Sequence, residues 1–394
     1  MRTAYFDNNA TTQALPRVVE AMMTRFTDGF GNPSSAYRRG REARAAVETA
    51  RASVARLFGC APSEVIFTSG GTEGDNNAIL GLCEDGDHVI TSAIEHDAIL
   101  NSCRALEHRG GMVTLLRTDS SGRVDPEAVR KALRPNTKLI SLMMANNETG
   151  VLQPVEEIGK IAAEADVWFH TDAVQAAGKA PISVERIGCD LLSISAHKFH
   201  GPQGVGALYV RRGTPLKPIM HGGHQERGRR AGTENLPGIV GLGLAADTAI
   251  AGLEDGTVEQ IRLWRDRFET EITKAIDGVE INGKTAPRVG NTTSLFLDGL
   301  LAETVLVALD NLGISVSAGS ACSAGSRKPS HVLMAMGLGA QRARSTLRVS
   351  LGKLNSEDDI DYLLSVLPDT VRQLRKASPV YQRGLEKGRQ TTQP

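Results

Sequence analysis

Between about residues 14 and 250 the sequence alternates strand-like and helical stretches, and this alternation constrains the fold of the 394-residue chain more than any other feature. Strand-like runs lie at 65–68, 88–92, 138–144, 167–170 and 190–195, and helical patterns lie at 16–26, 38–57 and 155–164. Strands separated by helices form βαβ units with a mainly parallel sheet. The pattern therefore predicts an α/β fold, in which a ligand binds at the carboxyl ends of the strands.

The last third of the sequence has a different pattern. A long helical stretch at about 238–276 precedes two strand-like runs and a further helical run, at 291–297, 346–350 and 303–312. These elements predict a second, smaller α+β domain. We assign 14–256 to the large domain and 1–13 with 257–394 to the small one, and we expect the polar tail at 384–394 to be disordered.

The overall composition excludes some classes of protein. Forty-five basic residues balance 45 acidic ones, which leaves no electrostatic footprint for nucleic acid or an anionic membrane. The N-terminus lacks the apolar region of a signal peptide, and no apolar stretch approaches the ~20 residues that span a bilayer, so a cytoplasmic location is expected. Five cysteines without a Cys-x-x-Cys pair indicate reduced thiols. No cysteine or acid cluster completes a metal site around His221 and His224.

Near the middle of the chain, the octet from Ser195 to Pro202 reads Ser-Ala-His-Lys-Phe-His-Gly-Pro and places Lys198 between two histidines. Strand alternation predicts that the Lys198 side chain starts on the same apolar side as Leu192 and Ile194. A lysine held there is snorkelling to water, paired, or neutral enough to act as a nucleophile. The octet alone leaves a snorkelling lysine and a Schiff-base lysine equally open.

A phosphate cradle is indicated directly after the strand at 65–68. The segment from Ser69 to Asn77 reads Ser-Gly-Gly-Thr-Glu-Gly-Asp-Asn-Asn, and small residues at a helix start expose backbone N–H groups that can bind an anion. The segment lacks the Gly-Lys-Ser/Thr ending of a nucleotide P-loop, and no Gly-x-Gly-x-x-Gly lies at the first turn, which indicates a phosphate other than ATP or NAD. A plain helix N-cap by Thr72 or Ser69 is the alternative.

A carboxylate and an amide follow the strand at 167–170. Asp172 lies just past this strand and Gln175 comes three residues later. A lone aspartate in that place usually caps the next helix, but Lys198 also follows a strand, so both side chains can converge at one sheet edge. Pyridoxal phosphate needs a lysine, an acid for its ring nitrogen and a phosphate cradle. Together the three signals favour a pyridoxal phosphate site.

Two further side chains are candidates for the same site. His96 follows the strand at 88–92, where an imidazole can stack on a flat ring or transfer protons, and a partly exposed loop histidine is the alternative. Arg348 alternates with apolar neighbours in the run at 346–350. An arginine that points into a site clamps a substrate carboxylate, whereas the alternative is a solvated strand face.

Cys322 differs from the other cysteines in its surroundings. It lies in a run of small residues at 317–326, which has little to pack and leaves its thiol accessible, while the other four lie in or beside predicted regular structure. A reactive thiol needs exposure and a flexible approach to its target. Cys322 is therefore the candidate nucleophile.

Motifs along nearly the whole chain carry a family resemblance. They are Tyr-Phe-Asp-Asn-Asn-Ala-Thr-Thr at 5–12, Gly-Asn-Pro-Ser-Ser at 31–35, Asn-Asn-Glu-Thr-Gly at 146–150, Ser-Ala-Cys at 320–322 and Leu-Arg-Val-Ser-Leu-Gly at 347–352. With the lysine octet, they resemble the class-V aminotransferase-like cysteine desulfurases of the NifS/IscS group. The resemblance implies the pyridoxal-phosphate fold type I, with a mainly parallel seven-stranded sheet and a smaller α+β domain.

The resemblance also implies a role for each candidate residue in cofactor binding. Lys198 would hold pyridoxal 5'-phosphate as a Schiff base, Asp172 would pair with its ring nitrogen, Gln175 would contact the ring oxygen, and His96 would stack on the ring and act in catalysis. The phosphate would be bound by Gly71, Thr72, Ser195 and His197, with Thr233 from a neighbouring subunit. The last role implies a homodimer.

For the substrate, the resemblance implies that Asn147, beside the cofactor, and Arg348 orient L-cysteine. Lys198 would remove the Cα proton, and Cys322 would take the sulfur as a persulfide, leaving L-alanine. The persulfide would pass to an iron–sulfur scaffold protein of the NifU/IscU kind, and Cys322 would itself be able to ligate a cluster transiently. Transfer RNA thiolation and molybdenum-cofactor maturation are alternative destinations.

The Asn8-Asn9 and Gly70-Gly71 forms favour the NifS branch, which is associated with nitrogen fixation. Two other readings stay open at this point. One is an aminotransferase or selenocysteine lyase of the same fold, and the other is a catalytically silent scaffold that binds sulfur carriers.

Overall fold

A computed structural model describes residues 2–319, 328–378 and 381 of the chain. Cys322 and the tail at 384–394 lie outside the described residues, so the predictions about them stay predictions. The α-helices are α1 Pro16–Phe26, α2 Arg38–Phe58, α3 Gly71–Leu80, α4 Asp97–Glu107, α5 Pro126–Ala132, α6 Val155–Glu164, α7 Val184–Ile187, α8 Leu236–Glu254, α9 Thr257–Ala275, α10 Ala302–Asp310, α11 His331–Ala335, α12 Gly339–Arg344 and α13 Glu357–Ala377.

The strands are β1 Ala4–Tyr5, β2 Val65–Thr68, β3 His88–Ser92, β4 Met112–Leu116, β5 Thr137–Ser141, β6 Trp168–Asp172, β7 Leu191–Ser195, β8 Gly206–Val210, β9 Val279–Ile281, β10 Thr292–Leu297, β11 Ile314–Ser315, β12 Ser317–Ala318 and β13 Thr346–Ser350. The predicted strand at 138–144 ends earlier, at Ser141, and the predicted strand at 167–170 continues to Asp172.

The larger sheet has seven strands in the order β2-β8-β7-β6-β5-β3-β4. β3 is parallel to β4 and β5, and β6 and β7 continue the parallel arrangement from β5. β8 runs antiparallel between β2 and β7. The predicted mainly parallel, seven-stranded sheet is therefore confirmed.

Apolar packing on both faces explains why these strands read as nearly continuous hydrophobic runs. Consecutive strand residues belong to different apolar clusters: Val89 and Leu191 pack in one, and Ile90 and Leu192 pack in the other. Both clusters are built with helices, as expected for a parallel sheet covered on both sides. Loops after β2, β3, β5, β6 and β7 all leave the sheet at one edge, where a ligand site is expected.

The last third of the chain forms a four-stranded antiparallel sheet in the order β12-β13-β10-β9. Helices α9, α10 and α13 pack on it around an apolar cluster that includes Phe6, Phe268 and Leu347. The N-terminal strand β1 joins this unit, because it pairs in parallel with β11. The division into 14–256 and 1–13 with 257–394 stays a prediction.

One long apolar helix corrects two predictions. The helical stretch expected at 238–276 is two helices, α8 and α9, because Gly256 between them is left-handed at φ 85°.

α8 also corrects the view that no apolar stretch is long enough to cross a bilayer: within the described residues it is the one helix that qualifies, with 19 residues and a mean hydropathy of 1.6. Of its apolar window, 61% is buried inside the protein, where Gly243 lets α8 approach Ala50 of α2 closely. Length and composition alone do not separate such a core helix from a spanning one.

Candidate active site

A cavity of about 440 Å³ lies at the carboxyl-end edge of the larger sheet. It is lined by ten of the twelve predicted site residues: Gly71, Thr72, His96, Asn147, Asp172, Gln175, Ser195, His197, Lys198 and Arg348. The parallel strands explain this convergence, since successive strand ends meet at one edge. Thr233 is exposed and does not line this cavity, and Cys322 lies outside the described residues.

The first turn of α3 opens onto the cavity. Gly70 is the N-cap, and no side chain among the described residues caps the helix, so the plain cap by Thr72 or Ser69 is wrong. Gly71 lies so close to Val174 that a Cβ would come within 2.6 Å of its Cγ2. Uncapped backbone N–H groups and the helix dipole make this turn suited to a phosphate.

Lys198 does not continue the strand alternation. β7 ends at Ser195, and a 3₁₀ turn over Ala196–Lys198 redirects the chain, so the expected placement on the side of Leu192 is wrong. Its Nζ donates to the main-chain oxygens of Asn9, at 2.8 Å, and Ala10, at 2.7 Å. The amine is thereby held at the cavity by two main-chain carbonyls.

Asp172 is a buried carboxylate at the end of β6. Its Oδ1 accepts from the Val174 N–H at 2.8 Å, so it also shapes the next turn. Burial raises the pKa of Asp172, and the nearby His96 and Lys198 oppose that shift. A buried carboxylate in this cavity is matched to a cationic nitrogen of a ligand.

His96 caps α4 and also lines the cavity. Its Nδ1 accepts from the Ala98 N–H at 3.1 Å, which leaves the proton of the neutral ring on Nε2. His197, on the phosphate side, has its pKa lowered to about 4 by burial and by the cations Lys198 and Lys179. His197 is therefore neutral at physiological pH and contacts the Thr11 hydroxyl through Nδ1 at 3.1 Å.

Arg348 is a buried cation on β13, with 2% of its surface exposed. Its Nη2 donates to Asp7 Oδ1 at 2.7 Å and its Nη1 donates to the main-chain oxygen of Asn147 at 3.1 Å. Its Nε has no hydrogen-bond partner among the described residues. An ordered, incompletely satisfied guanidinium in a cavity is suited to binding a carboxylate.

The sequence reasoning missed a hub at Asn9. Its main-chain oxygen accepts from Lys198 and, at 2.9 Å, from Gln175 Nε2. Its side-chain Oδ1 accepts from Lys179 Nζ at 3.0 Å, and its Nδ2 donates to the main-chain oxygen of Asn147 at 3.1 Å. Asn9 belongs to the motif at 5–12, but nothing in the sequence indicates which residues it contacts in the fold.

Two buried groups behind Asp172 were also missed. Asp75 lines the cavity from α3, and its Oδ1 has no hydrogen-bond partner in the described part of the chain. Burial and the charge of Asp172 raise the pKa of Asp75 well above its usual value. His170 Nε2 lies 3.6 Å from Asp75 Oδ1, and burial lowers the pKa of His170 to about 3. This imidazole is therefore neutral.

The two ends of the segment that contains Cys322 lie beside the cavity. Before it, Ser317 of β12 is the register partner of Arg348. After it, Ser330 donates to Glu148 Oε2 at 2.6 Å and His331 Nε2 lies 2.9 Å from the Glu95 main-chain oxygen. Glu148 follows Asn147 and Glu95 precedes His96, and both of these neighbours line the cavity. The described residues on either side of the segment are therefore anchored beside the site.

The residues present fit pyridoxal phosphate. The cavity combines an amine, a buried carboxylate at a separate wall and an uncapped helix start, which match the aldehyde, the ring nitrogen and the phosphate of that cofactor. Lys198, Asp172 and the first turn of α3 would hold it, with Gln175 and His96 at the ring.

Comparison with known proteins gives the family. The family model described as aminotransferase class-V matches residues 4–363. The chain is 46% identical over 383 residues to the cysteine desulfurase IscS of Methanosarcina thermophila, covering 96% of this chain and 94% of that protein. It is 47% identical over 382 residues to a cysteine desulfurase of a Nostoc species, covering 96% and 95%.

Solved structures of similar proteins have the same fold. The NifS-like protein of Rickettsia africae superposes with a TM-score of 0.86 at 35% identity, covering 94% of this chain and 99% of that one. A structure described as SspA in complex with cysteine superposes with a TM-score of 0.80 at 39% identity, covering 90% and 100%.

A mainly parallel sheet with a lysine, a buried acid and an uncapped helix start at one edge defines a pyridoxal-phosphate enzyme of fold type I, and the chain belongs to the class-V aminotransferase family. Within that family it belongs with the cysteine desulfurases of the IscS/NifS group. The predicted fold class, cofactor and enzyme class are confirmed.

Proposed function

We propose that this enzyme removes the sulfur of L-cysteine, releases L-alanine and carries the sulfur as a persulfide on Cys322. One observation supports the role of Cys322: the segment that contains it follows β12, in which Ser317 is the register partner of Arg348, and precedes Ser330, which donates to Glu148. These two anchor points support a role for Cys322 as the nucleophile toward a substrate bound to Arg348.

The proposed reaction balances without an added oxidant or reductant. The Cβ–S bond of L-cysteine breaks and an S–S bond forms to Cys322 Sγ. The carbon keeps the electron pair and gains a proton, which gives L-alanine, and the thiol of Cys322 becomes a persulfide. Attack requires the thiolate, so the proton of Cys322 must leave first.

The cavity residues bind the substrate and move its Cα proton. Arg348 binds the substrate carboxylate and Asn147 helps to orient it beside the reacting atoms. The Lys198 amine, held by two carbonyls, moves the proton at Cα. Pyridoxal phosphate, when bound, supplies an electron sink for the charge that develops at Cα. Asp172 keeps the ring nitrogen protonated.

Partner and location complete the proposal. Thr233 is exposed and away from the cavity of its own chain, which supports a homodimer in which it reaches the neighbour's phosphate. We propose a cytoplasmic enzyme that delivers sulfur to an iron–sulfur scaffold protein of the NifU/IscU kind. Service to nitrogenase, and transient cluster binding by Cys322, stay predictions from the NifS-like motifs.

Mass spectrometry after addition of L-cysteine tests the proposal. We expect one added sulfur on the peptide that contains Cys322, and loss of sulfide release in Cys322→Ala with an unchanged cofactor absorbance. Sulfide release at the wild-type rate by Cys322→Ala would overturn the role given to Cys322, whereas a selenocysteine lyase or an aminotransferase needs no thiol to carry a persulfide. A colourless protein, with no absorbance that borohydride shifts, would favour a silent scaffold.

A further inference from the structure

A second lysine lies beside the cofactor site and has no part in the reaction described above. Lys179 Nζ donates to Gln175 Oε1 at 2.6 Å and to Asn9 Oδ1 at 3.0 Å. Lys179 follows Gln175 by four residues in the turn segment after β6. Because the lysine supplies only N–H donors toward these two oxygens, it determines which end of the Gln175 amide faces it.

The rest of the network requires the same orientation. Gln175 Nε2 donates at 2.9 Å to the main-chain oxygen of Asn9, which can only accept. A flipped amide would set Gln175 Oε1 against this carbonyl and its Nε2 against the lysine donors. Asn9 is fixed in the same way, since its Oδ1 accepts from Lys179 and also from Asn291 Nδ2 at 3.0 Å.

In either charge state Lys179 has enough N–H groups for both of its acceptors. Burial, with the charges of Lys198 and Arg348, lowers the pKa of Lys179 well below its usual value. A neutral amine still has two N–H groups, which is the number of acceptors that Lys179 contacts. Both forms therefore hold the two amide oxygens.

We propose that Lys179 is a positioning residue that locks the Gln175 amide with its NH₂ group toward the cavity. Gln175 then presents a donor to an anionic oxygen on the cofactor ring. The inference rests on the proposed contact of Gln175 with that ring oxygen. Without Lys179 the Oε1 of Gln175 loses its donor, and only the Asn9 main-chain oxygen still opposes the flipped amide, which would repel an anion.

The test is a double-mutant cycle on the holoenzyme. For each variant, the visible absorbance of the bound cofactor is followed against pH, and the midpoint of its change is compared. Loss of a donor to the ring oxygen raises this midpoint, so we expect Gln175→Ala to raise it by about one pH unit. Lys179→Met should raise it in the same direction and weaken pyridoxal phosphate binding about tenfold. In the Gln175→Ala background, Lys179→Met should cause no further shift.

The controls separate the possible causes. Lys179→Arg keeps the donors and should restore the midpoint, whereas Lys160→Met on α6, an exposed lysine away from the cavity, should leave it unchanged. Thermal unfolding of each apoenzyme identifies a variant that fails to fold, in which case Lys179→Gln takes its place.

Additive shifts in the double variant would overturn the proposal, because a direct electrostatic effect of Lys179 on Lys198 persists without Gln175. An unchanged midpoint in Lys179→Met would also overturn it. An unchanged midpoint in Gln175→Ala would instead remove the proposed ring contact and the inference with it, while persulfide formation on Cys322 would stand.

Discussion

Ser317 and Arg348 are direct register partners in the antiparallel pairing of β12 with β13. The strand that leads toward Cys322 is thus hydrogen-bonded to the strand that carries the proposed carboxylate-binding residue. A two-residue strand gives little stability by itself, but here it fixes where the segment departs. The proposed binding of the substrate and the proposed transfer of its sulfur therefore share one structural support.

Arg348→Lys should raise the KM for L-cysteine about tenfold to a hundredfold, because a lysine cannot bind a carboxylate with two parallel hydrogen bonds. Cofactor absorbance should persist, since Arg348 contacts Asp7 and Asn147 in the described structure. Steady-state kinetics measure the effect. Arg375→Lys is the matched control: it is a buried arginine of α13 that contacts two main-chain oxygens, so its loss should lower thermal stability but leave KM unchanged.

Alkylation at pH 8 should label Cys322 before any other thiol. Burial raises the pKa of Cys60 and that of Cys103 to about 12, and it raises the pKa values of Cys83 and Cys189 further. Only about one in 10⁴ of the Cys60 or Cys103 thiols is then a thiolate at pH 8, and the thiolate is the reactive form. Peptide mapping after brief iodoacetamide treatment checks this. Rapid labelling of Cys60 would contradict the assignment.

Ser330→Ala should slow persulfide formation about tenfold, because it releases the segment containing Cys322 from Glu148 at one end. It should also cost about 1–2 kcal/mol of stability, since Ser330 caps α11 and its loss leaves the buried Glu148 without that donor. Single-turnover mass spectrometry on Cys322 gives the rate.

Ser183→Ala provides the matched control for the cap. Ser183 caps α7 by accepting from the Arg186 N–H at 3.3 Å, and it does not line the cavity. We expect this variant to lose stability but to form persulfide at the normal rate. Equal slowing in both variants would show that the effect is on stability and not on the anchoring of the segment.

Glu95→Gln should remove a fall in stability between pH 6.5 and 8. Burial raises the pKa of Glu95 from 4.5 to about 8, so the folded protein binds a proton that the unfolded chain has released. The corresponding stability is complete below pH 4.5 and is lost as the pH rises to 8. Between pH 6.5 and 8 the loss amounts to ~2 kcal/mol.

The urea midpoint of unfolding, measured at several pH values for both proteins, checks the Glu95 prediction. His170 acts in the opposite sense, because its lowered pKa removes stability as the pH falls below 6.5. The pKa values of Asp75 and Lys179 are also shifted, so the comparison with Glu95→Gln at each pH, in which those groups are unchanged, isolates the acid. A wild-type midpoint that rises between pH 6.5 and 8, relative to Glu95→Gln, would contradict the prediction.

Local sequence patterns predicted a large part of the secondary structure. The bounds of α1, α6, β2, β3 and β13 agree with the predicted 16–26, 155–164, 65–68, 88–92 and 346–350, because these elements combine clear periodicity with turn or cap residues at their ends. β8 was missed, and its antiparallel direction was not predictable from a local run of apolar residues. Pairing partners are chosen by the whole sheet.

The sequence by itself determined which residues can do chemistry: a lysine at a strand end, an acid on the neighbouring strand, a glycine-rich helix start and a thiol in a run of small residues. Backbone geometry follows from such local patterns, and parallel strands bring their ends to one edge. Only the tertiary structure showed that Asn9, 189 positions from Lys198, accepts its hydrogen bond, and that Lys179 donates to Asn9 as well as to Gln175. Contacts of that kind depend on side-chain packing between distant segments, which no local pattern encodes.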